Sequence, residues 1–155
     1  MQTEAYKVYQ KAARYCSYQE RTVQEVRVKL QALGITQKEK QEQLIQELQA
    51  ANFLDEGRYV AAFVRGKCLG KYWGKNKLLV ALTHKGVAPA LIQKGLAAIE
   101  DDAYRQCLRK VAHRKSQSLV DKDPRQRKHK LANYLLQKGY EPDLVQQTVQ
   151  DVVET

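Results

Sequence analysis

The sequence predicts an all-α protein, an elongated array of three tandem three-helix repeats. One motif recurs three times: two apolar residues four apart, a glycine four further on, then another apolar residue. Its copies are Val26, Leu30, Gly34, Ile35; Leu78, Leu82, Gly86, Val87; and Leu131, Leu135, Gly139, Tyr140. The glycines are 52 and 53 residues apart, and a near-constant period of that size marks an array of small units. Only three prolines and eight glycines occur in 155 residues, and the abundant Gln, Lys, Leu and Ala favour helix. No segment alternates polar and apolar residues long enough to form a strand.

The motif has a direct physical reading. Apolar residues at i and i+4 share one helix face. A glycine one turn later takes the left-handed conformation that stops the helix, and the next apolar residue packs back on it.

The first repeat, residues 4–54, opens with Val8, Ala12 and Cys16 on one stripe. Thr22 followed by Glu25 reads as a capping box for the helix that carries Val26 and Leu30. Thr36, with Glu39 three residues later, is expected to cap a third helix presenting Leu44, Leu48 and Ala51.

The second repeat, residues 55–101, starts at Asp55 and Glu56, carboxylates suited to a helix amino terminus. Val60 and Val64 repeat Val8 and Ala12. The stretch Lys71, Tyr72, Trp73, Gly74 breaks the pattern and leads into the Leu78–Leu82 helix. Pro89 fits the first turn of a further helix with Ile92, Leu96 and Ile99.

In the third repeat, residues 102–155, a helix with Tyr104, Leu108 and Val111 is expected to break at Ser116–Ser118. Asp123 and Pro124 read as N-cap and first helical residue. After Gly139 and Pro142 the last helix shows Val145, Val149 and Val152.

A hydrophobic share of 43% supports real cores. No apolar run approaches the roughly 20 residues of a membrane span, and Met1–Thr3 lacks a signal-peptide pattern. A soluble, cytoplasmic protein with no membrane partner is expected. Cys16, Cys68 and Cys107 form no CxxC and no Cys/His cluster, which excludes a disulfide framework and a zinc finger. Cys16 and Cys68 each precede a repeat glycine by 18 residues and read as buried apolar side chains. His84, His113 and His129 are isolated on polar faces. Asp55–Glu56 and Asp101–Asp102 sit at helix starts, where acids are expected anyway. With no phosphate loop and no nucleophile elbow, the chain reads as a non-enzyme without cofactor or metal.

The charge is more telling. Lys and Arg number 27 against 17 acids, a net +10, which implies an anionic partner. The balance rises from +2 through +3 to +5 over residues 1–54, 55–103 and 104–155. Arg65, Lys67, Lys71, Lys75 and Lys77 run without an acid and enclose Tyr72 and Trp73. Basic side chains interleaved with aromatics suit phosphate neutralisation and base stacking. Packing at a joint is the competing role for Trp73. Arg58 in the second repeat, and Arg114, Lys115, Arg125, Arg127 and Lys128 in the third, complete the candidate contacts.

Asp55-Glu56-x-Arg58-Tyr59, followed by Gly74-x2-Lys77-Leu78-x3-Leu82-x2-Lys85-Gly86-Val87, resembles the central signature of the RecX regulatory proteins. Arg21-Thr22-x2-Glu25-Val26-x2-Lys29-Leu30 is similar to that family's first-repeat motif, where Ser and Leu usually replace Thr22 and Val26. Asp123-Pro124-Arg125-x4-Lys130-Leu131-x3-Leu135-x2-Lys138-Gly139-Tyr140 is similar to the third. The departures are Tyr59, where Phe is common, and the basic, Trp-containing joint from Lys71 to Lys75. The resemblance implies tandem three-helix repeats and a monomeric regulator of the RecA recombinase filament on single-stranded DNA, acting in DNA repair, homologous recombination and the SOS response. It implies inhibition of ATPase, strand exchange and co-protease activity, with contacts to single-stranded and also double-stranded DNA. The alternative from charge alone is a basic helical DNA-binding module without a recombinase partner. A repeat scaffold for peptides ranks last, because no spare apolar stripe is present.

Overall fold

The structure, a computed structural model, describes residues 3–153. Met1, Gln2 and the last two positions of the third repeat lie outside the described residues. The elements are α1 (Glu4–Tyr18), α2 (Val23–Ala32), α3 (Lys38–Ala50), α4 (Glu56–Arg65), α5 (Lys75–His84), α6 (Pro89–Ala97), α7 (Asp101–Ser118), α8 (Pro124–Gln137) and α9 (Pro142–Val153). A π-helical turn, Gly66–Gly70, follows α4. The described residues are all-helical, as expected, with no strand among them.

The local signals act as read. Gly34, Gly86 and Gly139 have φ of 96°, 77° and 99°, a conformation that L side chains adopt only at a cost. The amide of the residue after each glycine donates to the carbonyl five back: Ile35 to Leu30, Val87 to Leu82, Tyr140 to Leu135. That bond closes the helix end. Thr22 and Glu25 form the full capping box, Asp55 accepts from the Arg58 amide at 3.1 Å, and Asp123 caps α8 with Pro124 at its start.

Other local expectations fail. Gln37, not Thr36, is the N-cap of α3, and its side chain makes no capping bond. Ser116–Ser118 do not break α7; the three residues are its last, with Ser116 and Ser118 bonding back to the carbonyls of His113 and Lys115. Such back-bonding lets hydroxyls stay inside a helix. Ala51 lies past the end of α3 and is exposed, and Leu54 takes the buried place instead. Ile99 likewise falls beyond α6, and Val153 rather than Val152 is the buried last residue of α9. The π turn had no sequence signature.

The helices pack into two compact units, one comprising the chain up to Ala62 with Leu82–Ile92, the other Phe63–Ala81 with Gln93 onward. The covalent middle repeat is thus divided between them. In the first unit, Val8, Ala12, Ala13, Cys16, Val26, Leu30, Leu44, Ile45, Leu48 and Leu54 make one buried cluster, with Tyr9 edge-on to Phe53 at 6.4 Å. In the second, α7, α8 and α9 pack on one another and bury Tyr104, Leu108, Leu131, Leu135, Tyr140 and Val145.

Each unit contains the same kind of joint, in which the start of a repeat's second helix is capped by the next repeat. In the first unit the Val23 amide at the start of α2 donates to Glu56 Oε2 at 2.9 Å, and Gly86 lies against the Gln24 side chain. In the second unit the Lys75 amide at the start of α5 donates to Tyr104 Oη at 2.8 Å. There Gly74 and Asn76 donate to the carbonyls of Lys138 and Gly139 at 2.7 and 2.9 Å. These bonds satisfy amides that a helix start leaves without intrahelical partners.

Candidate functional site

The second unit gathers twelve of the thirteen sequence-predicted contact residues; Arg58 lies in the first. The grouping begins with the π turn. Its extra residue per turn and the return of the chain bring the Trp73 amide to the Lys67 carbonyl at 2.9 Å. Tyr72, between them, is held at φ 58°, a left-handed conformation costing a non-glycine residue about 1–3 kcal/mol.

Trp73 then sits half-buried, edge-on to Phe63 with centroids 6.1 Å apart. The Lys67 ammonium lies 5.1 Å and the Lys77 ammonium 4.4 Å from the indole centroid. The packing role expected of Trp73 is thus present, on Phe63, and two cations face the same ring. Each cation–π contact at such a site contributes about 0.5–1 kcal/mol.

A second grouping adjoins it in the chain. Arg114 from α7 lies 5.4 Å from the Tyr72 ring centroid. Lys138 Nζ donates to the Lys71 carbonyl at 2.8 Å. Burial, and secondarily the charge of Lys77, holds the Lys138 ammonium below the usual lysine range. A cation kept in a partly dry, positive setting is one that an anion would stabilise. Sequence reasoning missed Lys138 as a contact residue. Its only signal is its place before Gly139, which Lys85 shares before Gly86.

The remaining candidates are dispersed. Lys75 lies over Tyr104 at 4.9 Å and Lys115 over Tyr134 at 4.7 Å. Arg65 is exposed and Lys128 half-buried. Arg125 is 92% exposed, 3.7 Å from Asp123. Arg127 spends its guanidinium on the carbonyls of Asp121 and Lys122 at 2.8 and 3.0 Å, a loop-closing arrangement. Arg58 is engaged by Glu20 at 2.9 Å, by Asp55 at 3.8 Å and by the Asn52 carbonyl at 2.8 Å. By contrast, Arg65, Lys67, Lys71, Lys75, Lys77, Arg114, Lys115, Lys128 and Lys138 form no ion pair with a carboxylate among the described residues.

The thiols offer no nucleophile. Burial pushes Cys16 and Cys68 up to about 11, the reverse of activation. No group of three His, Cys, Asp or Glu among the described residues could hold a metal ion. None of the described helices is long and apolar enough to cross a membrane. The chemistry available is recognition of anions and aromatic surfaces.

Three family models match in chain order: the first three-helix domain of RecX over residues 9–42, the second over 55–96 and the third over 102–149. The regulatory protein RecX of Prosthecochloris aestuarii is 29% identical over 95% of this chain and 94% of its own. That of Clostridium botulinum is 30% identical over 86% of this chain, which spans 62% of that relative's length. The crystal structure of RecX from Lactobacillus salivarius shares the fold with a TM-score of 0.88, at 22% identity over 98% of both chains. Matches along all three helix triplets and over nearly the full length of one relative lead to one conclusion: this chain belongs to the RecX family, whose members are regulatory proteins rather than enzymes.

Proposed function

We propose that this chain is a cytoplasmic, monomeric regulator that binds the RecA recombinase filament on single-stranded DNA. Binding inhibits ATP hydrolysis, strand exchange and co-protease activity. Membership of the RecX family supports the regulatory role. The observation that carries the contact surface is Trp73 between Lys67 and Lys77, with no carboxylate neutralising either cation. Such a surface fits DNA phosphate and an acidic protein face together, because cations with no internal carboxylate partner can form charge-assisted hydrogen bonds to an anion without first breaking an ion pair, and on DNA they release counterions.

RecA ATPase on single-stranded DNA, measured with sub-stoichiometric amounts of this protein, tests the reading. The rate should fall and filaments should shorten. Unchanged rate and filament length at saturating protein overturn it; direct, salt-sensitive DNA binding would then leave the plain DNA-binding module.

A further inference from the structure

The first repeat is the least basic in sequence, yet its surface is not evenly mixed. Lys11, Arg14, Tyr15 and Tyr18 fall at i, i+3, i+4 and i+7 along α1, so they share one face. With Arg21, Lys29 and Leu33 they line a cleft of about 340 Å³. No carboxylate lines it. None of the four cations forms an ion pair among the described residues. The repeat's six acids are placed elsewhere: Glu20 on Arg58, Glu25 in the α2 cap, Glu42 on Arg27, Glu4 on Lys7, Glu39 in the first turn of α3 and Glu47 beside another cavity. Segregation leaves the charged side chains lining the cleft all positive despite the small net charge.

The aromatic part of the cleft is built rather than incidental. The Arg21 guanidinium lies 3.7 Å from the Tyr15 ring centroid and Lys29 Nζ 5.3 Å from it. Arg21 Nε also donates to the Tyr15 carbonyl at 3.0 Å, which fixes the guanidinium and leaves its remaining N–H groups for a ligand. Tyr18, at the edge, is 84% exposed.

A second observation points the same way. Tyr15 and Arg21 lie 52 residues before Lys67 and Trp73, the spacing of Gly34 and Gly86. In both units, then, these two repeat positions hold a cation–π pair, with aromatic and cation exchanged. In both, the second residue also donates to the carbonyl of the first, Arg21 through its side-chain Nε and Trp73 through its backbone amide. The two positions thus place a cation on an aromatic ring in each unit by different bonds.

We infer that the Lys11–Arg14–Tyr18–Arg21–Lys29 cleft is a binding site for single-stranded nucleic acid. The cations take successive phosphates and Tyr18 stacks on an exposed base. Four phosphate-directed cations and an open aromatic face match the two requirements of single-strand binding. A duplex would leave Tyr18 without a base face to cover. This deepens the recombinase-filament reading by adding a direct DNA contact, and it is tested without recombinase.

The experiment is fluorescence anisotropy of a labelled oligo(dT) with the full chain, its Tyr18→Ala and Tyr18→Phe variants, and the double variant Lys11→Gln, Arg14→Gln. Tyr18→Ala should weaken binding by about 5- to 160-fold, the range of one base-stacking contact, and Tyr18→Phe should restore it. The double variant should flatten the log–log salt dependence by about 1.4, two single-strand phosphate contacts. Tyr18 is exposed, so its loss leaves the core intact, and an unchanged melting temperature checks this. Wild-type affinity in both Tyr18→Ala and the double variant overturns the inference. So does equal affinity for a duplex of the same length, or tighter binding of polyglutamate. If oligo(dT) binding responds as stated while RecA ATPase does not change, the site stands and the recombinase reading falls. If ATPase inhibition persists but oligo(dT) binding ignores Tyr18, the site falls alone.

Discussion

Gly74 and Gly139 meet backbone to backbone. A Cβ built on Gly74 would lie 2.2 Å from the Gly139 carbonyl carbon, and one built on Gly139 would lie 2.3 Å from Lys77 Cβ. Only hydrogen atoms at both α-carbons allow the approach that lets Gly74 and Asn76 donate to the carbonyls of Lys138 and Gly139. The stop glycine of the third repeat thus does two jobs: it ends α8, and it seats the start of α5.

The stop glycines Gly34 and Gly139 should therefore differ in tolerance, although their motifs read alike. Gly34 has no atom within 4 Å of an added Cβ. Gly34→Ala should cost only the left-handed backbone penalty, about 1–2 kcal/mol. Gly74→Ala and Gly139→Ala must displace backbone and should each cost about 3 kcal/mol or more. Urea denaturation of the three variants measures this; equal losses would mean that the close approach does not matter.

Tyr104 supplies both an acceptor for the Lys75 amide and a hydroxyl that donates to Glu141. Tyr104→Phe leaves both without that partner, and the loss should be about 1–3 kcal/mol. Glu56→Gln, at the matching joint of the first unit, should cost less. The amide oxygen can still accept from Val23, so only the charge at the helix amino terminus is lost. Thermal melts of the two variants should fall in that order.

The buried thiols make alkaline stability fall. Their ordinary value is 9.0, and burial raises Cys16 and Cys68 to about 11. Between these values the unfolded chain releases protons that the folded chain retains, so stability is full below about pH 9 and is lost as pH rises towards 11. Burial raises Tyr104 and Tyr140 as well, with the same sign. Unfolding free energy should drop across this window, and Cys16→Ala with Cys68→Ala should make the drop shallower. At neutral pH a maleimide should label half-buried Cys107 first.

Lys67→Gln with Lys77→Gln removes the two charges over Trp73 while leaving the indole packed on Phe63. RecA inhibition should weaken by about tenfold or more, the scale of losing two charge-assisted contacts. Arg127→Gln should instead lower the melting temperature with little effect on inhibition, because its guanidinium closes the Asp121–Lys122 loop. Equal inhibition by the lysine double variant and the parent would remove the Trp73 face from the interface.

The sequence by itself determined the helix stops and the two side-chain caps whose causes lie within one or two helical turns. The left-handed stops at Gly34, Gly86 and Gly139, the Thr22–Glu25 box and the Asp123–Pro124 start depend on neighbours three to five residues away, so spacing alone specifies them. The triplet order follows from their repetition. Serines at 116 and 118 and a threonine at 36 misled for a related reason. A hydroxyl can bond a preceding carbonyl or cap a following amide, and only the surrounding backbone selects between them.

The tertiary structure alone decided what meets across repeats. Nothing in the sequence distinguishes Gly74 as a point of backbone contact, because its partner is 65 residues away. Net charge placed the first repeat lowest in interest, since a sum carries no positions. Folding put three of its acids on Arg58, Arg27 and a helix cap, kept the others away from the cleft, and left Lys11, Arg14, Arg21 and Lys29 around two tyrosines. Spacing along one helix places side chains on a face; only packing determines which charges are neutralised there and which stay open to a partner.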